Sequence, residues 1–431
     1  MNIGFYLDNK NISNIDCTNI LLGNPGMGGS EYSAIAISYL LSIRPNKLNI
    51  TIYCNKEMIF PNGLSYKTNP TLQDSIESAI KDQIDYFIID LKLVDTYTIT
   101  RNKKIKFILW ANNFASREKL NFFCKQKNIV KIINVGREQN DLWLDHAIYH
   151  KSVAIYNAMS FDNIDFSKQL PTNERLNNVV YIGSLVPAKG FYFLARAWKK
   201  VLEKVPDANL FVIGSGKLYN RNAILGKYGI AEKSYEDSFI NYIIDSEGHI
   251  LPSVHFLGIM GTEKYDVCKS CKVGVPNPSG ETETFGFTAI EMEMMGCYIT
   301  TIKCPGYLDT VLSNDINILY DNVTQLASSI IKLLNYNGKD YDHNETIQEL
   351  KEKFSYNKVI EQWEYLFYHM NDDVSYPTNN NSYRLKKIKL FLSNLKKKYP
   401  CLINIPSVEF VLSFTDKFYR KYINLKLKYG E

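Results

Sequence analysis

The sequence predicts an α/β protein built from two parallel-sheet domains. Three observations carry this. The chain has 431 residues, more than one ordinary hydrophobic core organises. Short apolar runs alternate with helical patterns in two successive series, as in repeated strand–helix–strand units. A polar stretch without period, 158–177, separates the two series.

The first series places strands at 2–7, 49–54, 86–90, 104–110, 128–135 and 152–157, with helices at 30–41 and 71–81 among them. The second places strands at 178–184, 209–215, 254–258, 272–276, 297–302 and 316–320. Its helices are expected at 192–205, 262–271, 284–295 and 323–335. A long amphipathic helix at 354–370 closes the second unit, and the Asn- and Ser-rich stretch 372–382 is a linker by composition. The expected domains are therefore 1–158, 159–371, and a linker with a basic tail at 372–431.

Hydrophobic content of 45% and charged content of 22% are those of a soluble globular protein. The eight cysteines form no framework. Cys268 and Cys271 make the one C-x-x-C, without the second pair a zinc site wants, and read as small apolar residues of a helix. Unpaired thiols in this number suit a reducing cytosol. The first residues carry no signal-peptide pattern, and no apolar run approaches the roughly 20 residues of a membrane span. The expected location is cytoplasmic, with peripheral attachment to the inner face of a membrane as an option set by the tail.

The net charge of +5 is uneven. Residues 383–431 hold twelve Lys or Arg against three Asp or Glu, which leaves the first 382 residues at −4. An acidic body argues against nucleic acid as a partner. In the tail, helical periodicity puts Leu385, Ile388, Leu392, Leu395 and Tyr399 on one stripe, with lysines over the rest. Such a helix, across 383–400, either lies on an anionic membrane surface or packs on the protein's own acidic body or on a second copy.

Ligands of open parallel sheets bind beyond the carboxyl ends of the strands. Gly26, Gly28 and Gly29 precede the first helix and let backbone approach a ligand, with Ser30 or a neighbour as cap. A flexible turn is the plainer reading. A dinucleotide fingerprint fits poorly, because Cys54-Asn55 ends the next strand with no acidic residue for a ribose. Lys189-Gly190 follows Gly183-Ser184 at the start of a helix, where lysine and amide groups together favour a diphosphate. His146 and His150 lack the glutamate of a metalloprotease helix and read as ordinary helix residues.

The stretch ETETFGFTAIEMEMMG (281–296) holds Glu283 and Glu291 with seven residues between them. Eight residues of helix rise about 12 Å, too far for two carboxylates to share a proton. Each can instead grip hydroxyls at one end of an elongated ligand, with the amides of Phe285, Gly286 and Phe287 receiving an anion between them. A diphosphate flanked by two hydroxylated rings is a nucleotide sugar. Glu293 reads as part of a solvated helix face, and Asp340-Tyr341-Asp342 as a surface loop.

E-T-F-G-x-x-x-x-E-x-x-x-x-G resembles the E-x7-E motif of group-1 glycosyltransferases, family four of the retaining nucleotide-sugar transferases. G-S-L-x-x-x-K-G (183–190) is similar to their G-R-L-x-x-x-K-G, and 28–31, 254–258 and 304–311 sit where similar segments occur. The resemblance spans roughly 1–370. It implies the GT-B fold, with two Rossmann-like domains across a cleft and a last helix, 354–370, crossing back. It also implies a metal-independent, retaining enzyme without cofactor, with UDP or GDP as the leaving nucleotide. A glycan or lipid-linked acceptor, in bacterial surface polysaccharide synthesis, fits by analogy.

Carried over by position, Lys189 holds the diphosphate, Glu291 the ribose and Glu283 the transferred sugar, while Ile259 and Met260 lie near the base. Lys189 and Glu283 form the implied catalytic pair. Gly28, Gly29, Gly183, Ser184, Phe285, Gly286 and Phe287 complete the donor site. Asn112 or Asn113 stands where relatives often have a histidine facing the sugar. Ser184 departs from the family arginine, so Lys217 or another base is needed if Lys189 is not enough. That departure leaves two rivals: an inactive GT-B subunit that binds a glycan or partner enzyme, and an epimerase of the same architecture.

Overall fold

The computed structural model describes residues 1–429 except 13–14, 46, 163, 165, 167–169, 219–221, 341, 371 and 373–380. Most of the expected linker, part of the break between the two series, and the middle of Asp340-Tyr341-Asp342 thus lie outside the described residues.

Two parallel sheets form the body. The first holds β1 (Asn2–Leu7), β2 (Asn49–Cys54), β3 (Ser65–Thr68), β4 (Tyr86–Asp90), β5 (Phe107–Ala111), β6 (Ile129–Asn134) and β7 (Ser152–Ala154), in the order β3-β2-β1-β4-β5-β6-β7. The second holds β8 (Asn178–Ile182), β9 (Asn209–Ile213), β10 (Val254–Gly258), β11 (Val273–Gly274), β12 (Tyr298–Ile302) and β13 (Ile318–Tyr320), in the order β10-β9-β8-β11-β12-β13. In each, strand order reverses beside the first strand, at β1/β4 and at β8/β11. These are the points where crossover helices leave on opposite faces and a crevice opens. The central strands are apolar runs buried on both faces, such as NVVYI in β8 and FILWA in β5. The fold is GT-B.

β3 has no counterpart among the expected strands. Its sequence, SYKT, is exposed at all four positions, so an edge strand leaves no apolar signal. The helix Leu72–Lys81 begins with a capping box, Thr71 and Asp74 bonding each other's backbone. Ser30 does not cap the first helix, Gly29–Ile43. Gly28 takes the N-cap position and no side chain caps it.

The helix Tyr356–Tyr368 belongs by sequence to the second unit but packs on the first. Trp363 is fully buried, its ring 4.9 Å from Trp110 of β5 and 5.9 Å from Phe5 of β1. Glu364 pairs with Arg44 at 3.1 Å, and the Tyr356 and Tyr32 hydroxyls share a hydrogen bond. Losing an indole so placed costs about 3–5 kcal/mol, so this helix is firmly fastened to the first sheet.

Of the alternatives for the tail, packing on the protein's own acidic body is the one observed, and the lysine side faces inward. In the helix Lys386–Lys398 the lysines Lys386 and Lys389 are buried, while Leu385, Ile388, Phe391 and Tyr399 stay exposed. Lys386 lies 2.9 Å from Glu138 and 2.6 Å from Asp141, and Lys389 lies 2.7 Å from Glu409. Lys396 donates to the Asp145 carbonyl at 2.7 Å. The acids of 138–145 on the first domain draw Lys386 and Lys396 inward, while Glu409 of the tail holds Lys389.

Candidate active site

A cleft of about 420 Å³ opens between the two sheets, at the switch point of the second. That size falls in the range of about 300–1,000 Å³ typical of small-molecule sites. Gly183 and Ser184 line it from the end of β8, and Asn277 from just beyond β11. Gly28, Gly29, Asn112 and Asn113 line it from the first domain. Lys189, Ile259, Met260, Glu283, Phe285, Gly286, Phe287 and Glu291 complete the wall. The structure thus gathers every residue singled out for the donor and sugar.

Lys189 ends a short 3-10 turn, Pro187–Lys189, whose carbonyl accepts from the Tyr181 hydroxyl at 2.9 Å. Gly190 follows at φ +65°, and a Cβ there would sit 2.6 Å from the Ser279 nitrogen, so glycine alone fits. Lys189 Nζ lies 2.9 Å from Glu283 Oε2, which also accepts from Asn277 Nδ2 at 3.1 Å. Burial would raise the Glu283 carboxyl. The Lys189 charge, with hydrogen bonds from Lys189, Asn277 and the Gly286 amide, outweighs it and holds the group below its ordinary value. Glu283 is therefore a fixed carboxylate that accepts hydroxyl hydrogens.

The helix after it is shorter than expected. It runs Phe287–Met294, with Gly286 at φ +86° as its N-cap, so Glu283 stands in the preceding loop. The Gly286 amide is already directed at Glu283. A Cβ on Gly306 would come 2.8 Å from the Phe285 nitrogen, so the 305–310 turn packs closely against this loop. Of the three amides offered to an anion by the sequence, Phe287 keeps a first-turn position. Thr282, just ahead, holds φ +56°, a strained conformation for a β-branched residue.

Glu291 forms a second ion pair at the far end. Its Oε1 is 2.6 Å from Lys264 Nζ, and both side chains are about nine-tenths buried. Tyr265 also meets Glu291. Its hydroxyl is pushed up by burial first and by the Glu291 charge second. Glu293 departs from expectation, being buried rather than solvated. Burial pushes its carboxyl up to about 8, against hydrogen bonds from the Leu312 amide at 3.0 Å and Asn317 at 2.7 Å. It braces the 312–317 turn.

The first domain reaches across the cleft. Thr284 donates to the Asn112 carbonyl at 2.7 Å, and Asp309 accepts from the Glu138 amide at 2.9 Å and the Tyr156 hydroxyl at 3.1 Å. The glycine loop is shaped by Asn24, whose side chain bonds the Gly26 and Met27 amides, both at 2.9 Å. A Cβ on Gly29 would meet the Phe287 ring at 3.2 Å.

Residues 162–354 match the family described as Glycosyl transferases group 1. That segment, less than half of the chain, resembles a group-1 glycosyltransferase domain. An uncharacterized glycosyltransferase of Haemophilus influenzae is 24% identical over 275 residues, 61% of this chain and 69% of that protein. Among solved structures, Anabaena HepE in complex with UDP and glucose superposes with a TM-score of 0.58 at 15% identity, covering 85% of this chain and 99% of that one. A glycosyltransferase from Rickettsia africae gives 0.59 at 12% identity, covering 86% and 99%. At these identities the structural likeness concerns the fold.

At the position where the resembling motif has an arginine, this chain is neutral. Ser184 is buried and donates to the Ser215 carbonyl at 3.3 Å. Leu218, not Lys217, lines the cleft. The cleft bases that sequence reasoning missed are Lys264 and Lys92. Lys92 Nζ lies 3.6 Å from Glu31 and 3.7 Å from Asp90 on the first-domain side. Asn277 was also missed, although its place just after a strand could have flagged it. Lys264 left no such signal.

Other candidates fall elsewhere. His146 sits ahead of a 3-10 turn rather than on a shared helical face with His150, and its Nδ1 accepts from the Ile148 amide at 3.0 Å. Asp340 is tied to structure, accepting from the Thr172 amide at 2.6 Å and the Tyr298 hydroxyl at 3.0 Å. Asp342 caps the helix His343–Phe354. Cys268 and Cys271 are fully buried. Among the described residues no group of three His, Cys, Asp or Glu could hold a metal ion, and no helix is long and apolar enough to cross a membrane.

Proposed function

We propose that the protein is a retaining glycosyltransferase that moves a sugar from a UDP- or GDP-sugar to a glycan or lipid-linked acceptor without a metal ion. One observation carries this reading: Lys189–Glu283 and Lys264–Glu291, two lysine–carboxylate pairs, line one cleft at a sheet switch point. Each pair offers a cation for a phosphate and a carboxylate for a hydroxyl. Lys264 supplies the positive charge that Ser184 does not. The UDP and glucose held by the Anabaena neighbour agree with a nucleotide-sugar ligand.

In the reaction we infer, the bond between the anomeric carbon and the phosphate oxygen breaks while the acceptor oxygen bonds to the same face of the sugar. The acceptor's proton passes to the departing diphosphate, so no protein base is required. Lys189 stabilises the charge that develops on the diphosphate, and Glu283 orients the sugar; positioning and electrostatics supply the acceleration. Asn112 and Asn113, which line the cleft from the first domain, are assigned to the sugar or the acceptor. Assembly of bacterial surface polysaccharide, such as O-antigen, capsule or lipopolysaccharide, is the setting this reading fits.

The uncharged, internally bonded Ser184 favours one rival, an inactive GT-B subunit that binds a glycan or partner enzyme. A screen of UDP- and GDP-sugars for thermal stabilisation and for slow hydrolysis separates the two. The reading expects at least one donor to raise the melting temperature and to be cleaved. A protein indifferent to every donor and to both nucleotides is the inactive subunit.

A further inference from the structure

We propose that the outward face of the C-terminal tail docks this protein on an anionic lipid bilayer through apolar side chains. The inference is independent of the donor-site reading. Lysine burial in the helix Lys386–Lys398 turns its other face outward, and Ile388 and Phe391 are 48% and 62% exposed there. The next helix, Val408–Tyr429, repeats the arrangement. Val411, Phe414, Phe418 and Tyr422 are spaced three, four and four residues apart, which puts them on one helical stripe. All four are more than half exposed, Phe418 by 75%. Single exposed hydrophobics are ordinary, but rows of them on two successive helices mark a surface meant to be covered.

Charge selects the occupant. The two acids described in this tail are already engaged, Glu409 by Arg384 and Lys389, and Asp416 by Arg384. Lys387, Lys397, Lys398 and Lys421 are exposed, and among the described residues none has an ion-pair partner. Residues 383–431 carry twelve bases against three acids. Pairing two such tails brings like charge together, whereas an anionic headgroup layer attracts it. The phenylalanines enter the acyl boundary while the flanking lysines stay at headgroup level.

The test is flotation of the full chain with vesicles of phosphatidylcholine alone and of phosphatidylcholine with phosphatidylglycerol, at low and high salt. The proposal expects binding to the mixed vesicles that weakens with salt. Phe391→Glu and Phe418→Glu should each lower the partition coefficient about tenfold or more. Lys387→Glu with Lys398→Glu should remove the preference for anionic lipid. All these positions are exposed, and an unchanged circular-dichroism melt confirms that the variants fold. Three results overturn the proposal: an intact protein that stays unbound at low salt, binding undiminished in the Phe391→Glu/Phe418→Glu double variant, or a dimer in sedimentation velocity that Phe391→Glu dissociates.

Discussion

The cleft and the underside of the tail use the same chemistry for different ends. In each, lysine ammonium groups are buried against carboxylates at hydrogen-bond distance. In the cleft, Lys189 and Lys264 keep 20% and 11% of their side chains exposed, and both border open volume. Under the tail, Lys386 and Lys389 keep 3% and 1%. A buried ion pair is weak evidence for stability, because desolvation offsets attraction. What separates a binding site from a fastening is whether the pair faces space that a ligand can enter. On the proposed reading the cleft pairs exchange partners with a diphosphate and with sugar hydroxyls, whereas the tail pairs only hold.

Substitutions should divide along that line. The largest effect is expected from Lys386→Met, which strands Glu138 and Asp141 and should cost about 3–5 kcal/mol in chemical denaturation. Turnover per folded molecule should be unchanged; a loss of turnover would erase the distinction between fastening and site. Next come Lys189→Ala and Glu283→Ala, each expected to lower kcat about a hundredfold or more while melting stays close to that of the wild type. Wild-type turnover in both would remove the cleft from the chemistry. Lys264→Met should raise the donor KM about tenfold with little change in kcat, as expected for a contact made equally in the ground and transition states.

The smallest effect is a pH slope that sharpens the same contrast. Burial pushes Glu293 up to about 8 and Asp309 up to about 7, although both accept hydrogen bonds. A raised folded-state value means that the folded form keeps a proton the unfolded chain has released. The stability these groups contribute is complete below the ordinary carboxylate range and is lost as pH rises through 7 and 8. Denaturation midpoints should fall across that window, and Glu293→Gln should flatten the fall. An unchanged slope would mean that Glu293 is ionised in the fold.

The sequence made the two sheets legible because each central strand is a short apolar run, buried on both faces. It hid β3, whose four residues are all exposed. Lys189, Glu283 and Glu291 were legible because local spacing and strand ends mark them. Lys264 was not, since its meaning comes from contact with Glu291, 27 positions away. The tail shows the limit most clearly. Periodicity groups Leu385, Ile388 and Leu395 on one side of a helix, but it cannot say which side meets the body. That is decided by Glu138, Asp141 and Asp145, more than two hundred residues earlier. Glu293 was misread for the same reason, since Asn317 and the Leu312 amide receive it from outside its own helix.

The most direct test of the central claim, that a nucleoside diphosphate binds against Lys189, is calorimetric titration of the wild-type protein and of Lys189→Ala with UDP and with GDP. The account predicts that one of the two nucleotides binds the wild type and that the substitution weakens it about tenfold or more. No heat from either nucleotide, or equal affinity in both proteins, would contradict it.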